Sequence, residues 1–409
     1  MRIDAHGYRF PMIGGNPGAR LMALESALGS ANTTRASSAL TLRMKIGRID
    51  WPLVVMLAMI ASVGTGVLYS AGRGWTPWAQ MHLLRFTAGI VMMLTVALID
   101  IRYWRQLAYP VYGAGLVLLI WVELAGEIGM GAQRWIDLGF LQLQPSEIMK
   151  IALVMVYAHY FHGMNPGRIS HPVALIFPFF LLALPVALVM RQPDLGTALL
   201  LLAGAGGLMF LAGVSWKYFA LALALVTAAL PIAWSLLHDY QKNRVLTFLN
   251  PEQDPLGAGY HIMQSKIAFG SGGVFGKGYM QGTQSHLDFL PEMQTDFIFT
   301  MFAEEMGLAG ALLLLCLFAA VIGYGYIIAM RVRHQFGRLI VLGVILNFFL
   351  YVFINMAMVM GLVPVVGVPL PFVSYGGTAM LTLLFGFGLV LSASVHRGVP
   401  IPEKTGLIF

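Results

Sequence analysis

The chain has 409 residues, 58% of them hydrophobic and 11% charged, with a formal net charge of +7, whereas soluble domains run at roughly 45–50% apolar and about 25% charged. That balance defines an integral membrane protein and removes nucleic acid as a reason for the positive charge, which topology control explains instead. The single cysteine, Cys316, excludes an intrachain disulfide framework and any cysteine-based metal site.

Residues 1–48 are rich in Ser, Ala, Gly and Arg, lack helical periodicity, and are expected to form a disordered cytoplasmic tail. No apolar stretch precedes Met44, so a cleavable signal peptide is not expected. A bilayer crossing needs about 20 apolar residues. Runs of that kind predict helices near 52–70, 83–99, 107–124, 148–161, 173–190, 195–214, 218–237, 297–328, 339–362 and 372–395.

The fold expected is all-α: a polytopic membrane domain over 49–397 with about ten transmembrane helices and one long extracytoplasmic loop, 238–295, followed by a short cytoplasmic tail, 398–409. An even number of spans puts both termini on one side. Arg102, Arg105, Arg168, Lys217, Arg331, Arg333, Arg338, Arg397 and Lys404 share that side with the basic N-terminal tail, and the positive-inside rule makes it cytoplasmic.

The long loop reads PLGAGYHIMQSKIAFGSGGVFGKGYMQGTQSHLDFLPEMQTDFIF and combines glycines, scattered cations and aromatic anchors. It ends on Asp296, where water meets hydrocarbon at the start of a membrane-length run. Such a surface suits chemistry on a polar substrate held in the membrane. Thr295 or Asp296 is also a competent N-cap for the following helix. The two roles are compatible, because a helix N-terminus keeps a carboxylate ionised.

Ionisable groups inside spans are functional candidates by default. Arg85 lies near the start of the second span and can snorkel to the interface. Glu147 and Lys150, one turn apart, can satisfy each other. Glu304 and Glu305 lie two turns beyond Asp296, about 12–14 Å along the helix. Adjacent carboxylates there need cationic partners or a water-filled vestibule. Asn347 and Asn355 mark one polar stripe, the usual sign of interhelical hydrogen bonds.

Further polar segments fall on the same side as Asp296. They are GAQRWIDLG with Arg134, LQPSEIMK, RQPDLGT with Arg191 and Asp194, and PVVGVPLPFVSYGGTAM around Ser374 and Tyr375. Irregular backbone at membrane depth is tolerated only where protein or a watery cavity covers it. These elements are expected to converge on one outward-facing site.

Taken in order, WIDLG…LQPSEIMKIA, QPDLGT, DPLGAGYHIMQSKIAFGSGG, GKGYMQGTQSHLDFLPEMQTDFIF, AEEMGLAG and NMAMVMGLVPVVGVPLPFVSYGGT resemble the SEDS family (shape, elongation, division and sporulation), and within it the rod-shape branch. The resemblance runs from about Trp51 to Arg397 and is specific. It implies the SEDS fold and a glycosyltransferase that polymerises lipid II on the outer face of the bacterial inner membrane. It implies as partners a class B penicillin-binding transpeptidase and other elongation-complex proteins. The family's essential acidic residue falls on Asp296. The chain departs from the pattern in carrying Gln294 where many relatives have histidine, and Met130 where a basic residue often stands, leaving Glu127 of that polar cluster.

The chemistry implied needs an acceptor hydroxyl to attack an anomeric carbon as pyrophosphate departs. A positioned carboxylate, Asp296, can take the acceptor's proton as general base. Pyrophosphate leaves as a stable anion, so cations rather than a second acid are required. Arg134, Arg191, Arg244, Lys266 and Lys277 are the candidates, and Glu127, Glu304 and Ser374 complete the expected substrate-binding set. A divalent cation, Mg or Mn, can share the work, although the ten His residues show no metal-ligand spacing; no organic cofactor is expected. Direct displacement inverts the anomeric centre. A lipid II flippase and a noncatalytic cell-wall scaffold are the alternatives.

Overall fold

A computed structural model describes residues 41–401 except 130–131, 138, 140–141, 193, 237–241, 243–245, 247–257 and 284–292. A short helix, α1 (Leu42–Gly47), belongs to a unit separate from the membrane domain. The domain's helices are α2 (Trp51–Ala71), α3 (Trp78–Leu98), α4 (Ile101–Ala125), α5 (Pro145–Phe161), α6 (Pro166–Ile169), α7 (Pro172–Arg191), α8 (Leu195–Ala212), α9 (Trp216–Leu236), α10 (Ala258–Ser271), α11 (Ile298–Arg331), α12 (Gln335–Val359) and α13 (Gly377–Val395).

Eight of these are long and apolar enough to cross a membrane: α2, α3, α4, α7, α8, α11, α12 and α13. The other two expected spans are also present. Helix α5 has 17 residues, a length of about 25 Å at 1.5 Å per residue. It is buried along nearly its whole length and so is matched to protein rather than lipid. Helix α9 has 21 residues.

The interior is built around α5, α12 and α13, with a cluster of fully buried rings, Phe348, Phe372 and Phe387, whose centroids lie 5.3–6.0 Å apart. Lipid tails are as apolar as leucine, so close backbone approach rather than hydrophobic burial must hold such helices together. Gly89 of α3 and Gly388 of α13 supply it: a Cβ on either would lie 2.3 Å and 2.8 Å from Leu384 and Val96 respectively.

Element ends differ from expectation for local reasons. Helix α4 begins at Ile101 because the Asp100 side chain accepts from Arg102 N at 2.9 Å, capping a first turn too polar to read as membrane. Helix α13 begins at Gly377, five residues late. Pro369 and Pro371 break the chain there, and Phe372 adopts φ +60°, so the segment before Gly377 is an irregular platform rather than helix.

Two features were not expected. The segment between α4 and α5 forms a small antiparallel meander, β1 (Glu127–Gly129), β2 (Ala132–Asp137) and β3 (Gln142–Leu143), with Glu127 opposite Trp135 and Ile136 opposite Leu143. The long loop contains α10, which packs on α11: Ser265 is fully buried, hydrogen-bonded to Thr300 Oγ1 at 2.8 Å and to Val359 O at 3.0 Å.

Candidate active site

Asp296 lies at the end of a turn that leads into α11. The N-cap position falls beyond both Asp296 and Thr295, the two residues expected there. The N-cap is Phe297, with no side-chain cap bond. What holds this turn is a set of three bonds to three consecutive carbonyls. Tyr375 N–H donates to Gln294 O at 2.8 Å, Ser374 Oγ to Thr295 O at 2.6 Å, and Asn355 Nδ2 to Asp296 O at 3.0 Å. Gly367 completes the frame, since a Cβ there would lie 3.5 Å from Asp296 Oδ2.

The platform of 366–376 is itself pinned from several helices. Asn355 gives its second amide proton to Val368 O at 2.7 Å, and Ser374 Oγ accepts from Leu370 N at 2.7 Å. Gly64 of α2 abuts the Phe372 carbonyl so closely that a Cβ would sit 2.4 Å from it, and Gly196 of α8 does the same to Val366 O at 2.4 Å. Arg85 of α3 stacks its guanidinium 4.8 Å from the Tyr375 ring centroid. Arg85 therefore has a partner on the platform, where snorkelling was one reading. A non-glycine residue at positive φ costs about 1–3 kcal/mol and persists only where its surroundings over-determine it; Phe372, 1% exposed, fits that condition.

Glycines of the long loop serve packing. Helix α11 is two helices joined at Gly307, whose φ of 65° and ψ of −167° break the 34-residue run. The segment 272–278 fills the break. Lys277 N and Gly278 N donate to Glu304 O and Glu305 O at 3.0 Å each, while Leu308 N and Ala309 N donate to Gly273 O and Val274 O, also at 3.0 Å. Backbones meet here at such range that a Cβ on Gly272, Gly276 or Gly307 would lie 2.0–2.3 Å from backbone atoms. An apolar cavity of about 210 Å³ flanks the break, lined by Phe269, Gly270, Gly273, Ala303, Gly307, Leu308 and Ala311.

The paired carboxylates of α11 have found partners from this loop and from α2. Glu304, 0% exposed, accepts from Lys277 Nζ at 2.7 Å, Thr283 N at 2.9 Å and Thr283 Oγ1 at 3.1 Å. Glu305 accepts from Ser70 Oγ at 2.5 Å and from the Met280 N–H. Glu304 is thus a counter-ion that ties the loop to the helix, and Lys277 has its charge engaged. In the same loop, Tyr279 has its phenol pushed up by burial and by the charge of Glu305.

The other cations differ in how committed they are. Arg134 Nε lies 3.7 Å from Asp194 Oδ2 and 3.5 Å from Gln192 O. Asp194 caps α8 through Thr197 N at 3.1 Å and Thr197 Oγ1 at 2.8 Å. Arg191 is 75% exposed and lies 3.6 Å from Glu123 Oε1. Lys266 is exposed on α10. Arg244 lies outside the described residues, and of Glu127 only its backbone in β1 is described. Ser374, 2% exposed, spends its hydroxyl on the Thr295 carbonyl while accepting from Leu370 N of the platform.

Deeper in the bundle Glu147 and Lys150 do pair, at 2.8 Å. Tyr351 of α12 joins them, accepting from Lys150 Nζ and donating to Glu147 Oε2. Tyr351, Thr283, Ser70 and Tyr375 are the members of these networks that sequence reasoning did not connect. Each comes from an element remote in the chain, and a hydroxyl in an apolar run carries no partner label. Among the described residues no group of three or more His, Cys, Asp or Glu side chains is spaced to hold a metal ion.

Among the described residues, eight helices long and apolar enough to cross a membrane, a broken helix sealed by a glycine loop, and a carboxylate framed at its mouth define a polytopic membrane protein. Residues 48–398 match the family model described as cell cycle protein, FtsW/RodA/SpoVE. The chain is 45% identical over 348 residues to the peptidoglycan glycosyltransferase MrdB of Escherichia coli K12, covering 84% of this chain and 93% of that protein. It is 36% identical over 375 residues to the probable peptidoglycan glycosyltransferase FtsW of Trichlorobacter lovleyi, covering 88% and 97%.

Among solved structures, a chain of a peptidoglycan synthase complex, described for its structural coordination of polymerization and crosslinking, superimposes with a TM-score of 0.73 at 31% identity, covering 86% of this chain and 98% of that one. The Thermus thermophilus rod shape determining protein RodA superimposes with a TM-score of 0.66 at 28% identity, with the same coverage. The chain belongs to the FtsW/RodA/SpoVE family.

Proposed function

We propose that this protein is a peptidoglycan glycosyltransferase that polymerises lipid II on the outer face of the inner membrane. Asp296 is its general base. The relatives' names support the reaction class, and the observation that carries the residue assignment is the framing of Asp296. Three consecutive carbonyls are fixed by three donors from two other elements, which fits a carboxylate that must be aimed.

In the reaction, the carboxylate takes the proton of the acceptor sugar's hydroxyl as that oxygen bonds to the anomeric carbon of the donor. The bond from that carbon to the pyrophosphate oxygen breaks on the opposite face. An α-linked donor therefore gives a β-linked product. The departing pyrophosphate is met by cations, and the exposed side chains Arg191 and Lys266 are free to move toward it in a way that Lys277, bound to Glu304, is not. A divalent cation, if bound, would supply further positive charge to the departing pyrophosphate.

The greater identity to MrdB than to FtsW supports a role in elongation, and the likeness to a synthase-complex chain supports a class B penicillin-binding transpeptidase as partner. Basic residues at the end opposite Asp296, among them Arg102, Arg331, Arg333, Arg338 and Arg397, support that end as cytoplasmic. The test is polymerisation of purified lipid II by purified protein with its cognate partner. Asp296→Asn is expected to insert normally and to yield no glycan; ordinary polymerisation by that variant would overturn the reading.

A further inference from the structure

We propose that Asn355 is a positioning residue for the carboxylate of Asp296, with Ser374 as its companion; the inference rests on the general-base reading above. Asn355 sits in the last turns of α12 and is 0% exposed. Its amide has one orientation that makes chemical sense. Both amide protons face carbonyl oxygens, Asp296 O at 3.0 Å and Val368 O at 2.7 Å, and a flipped amide would set oxygen against oxygen at both.

One planar group therefore fastens the base's own carbonyl to the platform that carries Gly367 against the base's side chain. The remaining oxygen, Oδ1, is buried with no hydrogen-bond partner among the described residues. A buried unsatisfied acceptor is costly and demands an account. Holding two strands of backbone in register at the reacting end of the molecule is such an account. Asn347, two turns earlier on the same helix, makes the contrast: among the described residues its amide donates to Gly343 O of its own helix, at 2.9 Å, rather than to a carbonyl of the turn or platform.

Neighbouring bonds act in the same sense. Ser374 fastens the Thr295 carbonyl and Tyr375 the Gln294 carbonyl, so the turn is held at every residue before α11 begins. Loss of the Asn355 bond removes a restraint on the Asp296 carbonyl and loosens the peptide plane next to the carboxylate. Misplacing a reacting group by about 1 Å costs on the order of 100-fold in rate.

The experiment measures lipid II polymerisation by purified variants with the cognate partner across a range of lipid II concentrations, together with thermal unfolding of each variant. Asn355→Ala and Ser374→Ala are expected to lower kcat about 10- to 100-fold with KM within about twofold of wild type. Asn355→Asp should be at least as poor as Asn355→Ala, since a carboxylate would face two carbonyls. Asn347→Ala, the control, keeps wild-type kcat.

Wild-type kcat in Asn355→Ala, a loss expressed in KM alone, or an equal loss in Asn347→Ala would overturn the proposal. Should Asn355→Ala fail to fold, Ser374→Ala decides by the same criteria. An inactive Asp296→Asn beside a fully active Asn355→Ala sinks the positioning role alone, whereas an active Asp296→Asn sinks the general-base reading on which it stands.

Discussion

Lys277 reaches across the break in α11 to place its ammonium 2.7 Å from Glu304 Oε1, joining a loop residue to a wholly buried carboxylate 27 positions away. The pair closes the gap that Gly307 opens. Removing one member of such a buried pair leaves the other uncompensated and costs about 3–5 kcal/mol. Lys277→Ala is therefore expected to lower the thermal midpoint in detergent strongly, and the Lys277→Ala, Glu304→Ala double variant to recover part of that loss. A Lys277→Ala protein with a wild-type midpoint and a raised KM for lipid II would instead assign Lys277 to the substrate.

The loop glycines divide into two kinds. Gly276, at φ 80°, would put a Cβ 2.0 Å from Glu305 O, and Gly307, at φ 65°, one 2.3 Å from Gly276 N. A side chain at either meets both a backbone clash and the left-handed penalty of about 1–2 kcal/mol. Gly276→Ala and Gly307→Ala should fall in yield and melt early. Gly270, within α10 and with nothing inside 4 Å of its Cβ position, is the internal control. Gly270→Ala should be neutral or gain up to about 1 kcal/mol from helix propensity.

Arg85 and Tyr375 meet as cation and ring at 4.8 Å. A partly desolvated contact of this kind is worth about 1–2 kcal/mol. Tyr375→Phe keeps the ring and is expected to hold stability close to wild type, while Tyr375→Leu and Arg85→Ala each lose about that amount. A double-mutant cycle on Arg85 and Tyr375, read by thermal unfolding, measures the coupling directly, and zero coupling would remove the contact as a support of the platform.

At the other end of the bundle His334 caps α12, its Nδ1 accepting from Gly337 N at 2.9 Å. Burial pushes this imidazole down to about 4; a hydrogen bond to the His396 backbone opposes it, the nearby His162 and His396 rings add to the depression, and the Asp100 charge opposes it. The folded state thus keeps His334 neutral, while the unfolded chain takes up a proton near pH 6.5. Stability is fully present above that pH and is lost as pH falls from about 6.5 to about 4, by an amount on the order of 2–3 kcal/mol. His334→Asn, which retains a capping acceptor, should flatten that limb in unfolding measured from pH 7 to pH 4.

Apolar run length announced the membrane-length helices, because that signal follows from local composition against a slab of fixed thickness. Asp296 was legible as the carboxylate that ends the long polar loop at the mouth of a membrane-length run. Glu304 and Glu305 were legible as groups in need of partners, but Lys277, Thr283 and Ser70 were not nameable as those partners. Within the glycine-rich loop, the segment 272–278 seals a broken helix, a packing role its composition did not announce.

That the chain is a polytopic, mostly helical membrane protein was determined by sequence alone, since hydropathy acts through the solvent and needs no knowledge of neighbours. Which backbone groups fill the break at Gly307, and which donors hold the carbonyls of 294–296, only the tertiary structure decided. Hydrogen bonds between residues dozens to hundreds of positions apart depend on distances of a few ångströms, and those distances exist only once the helices have packed.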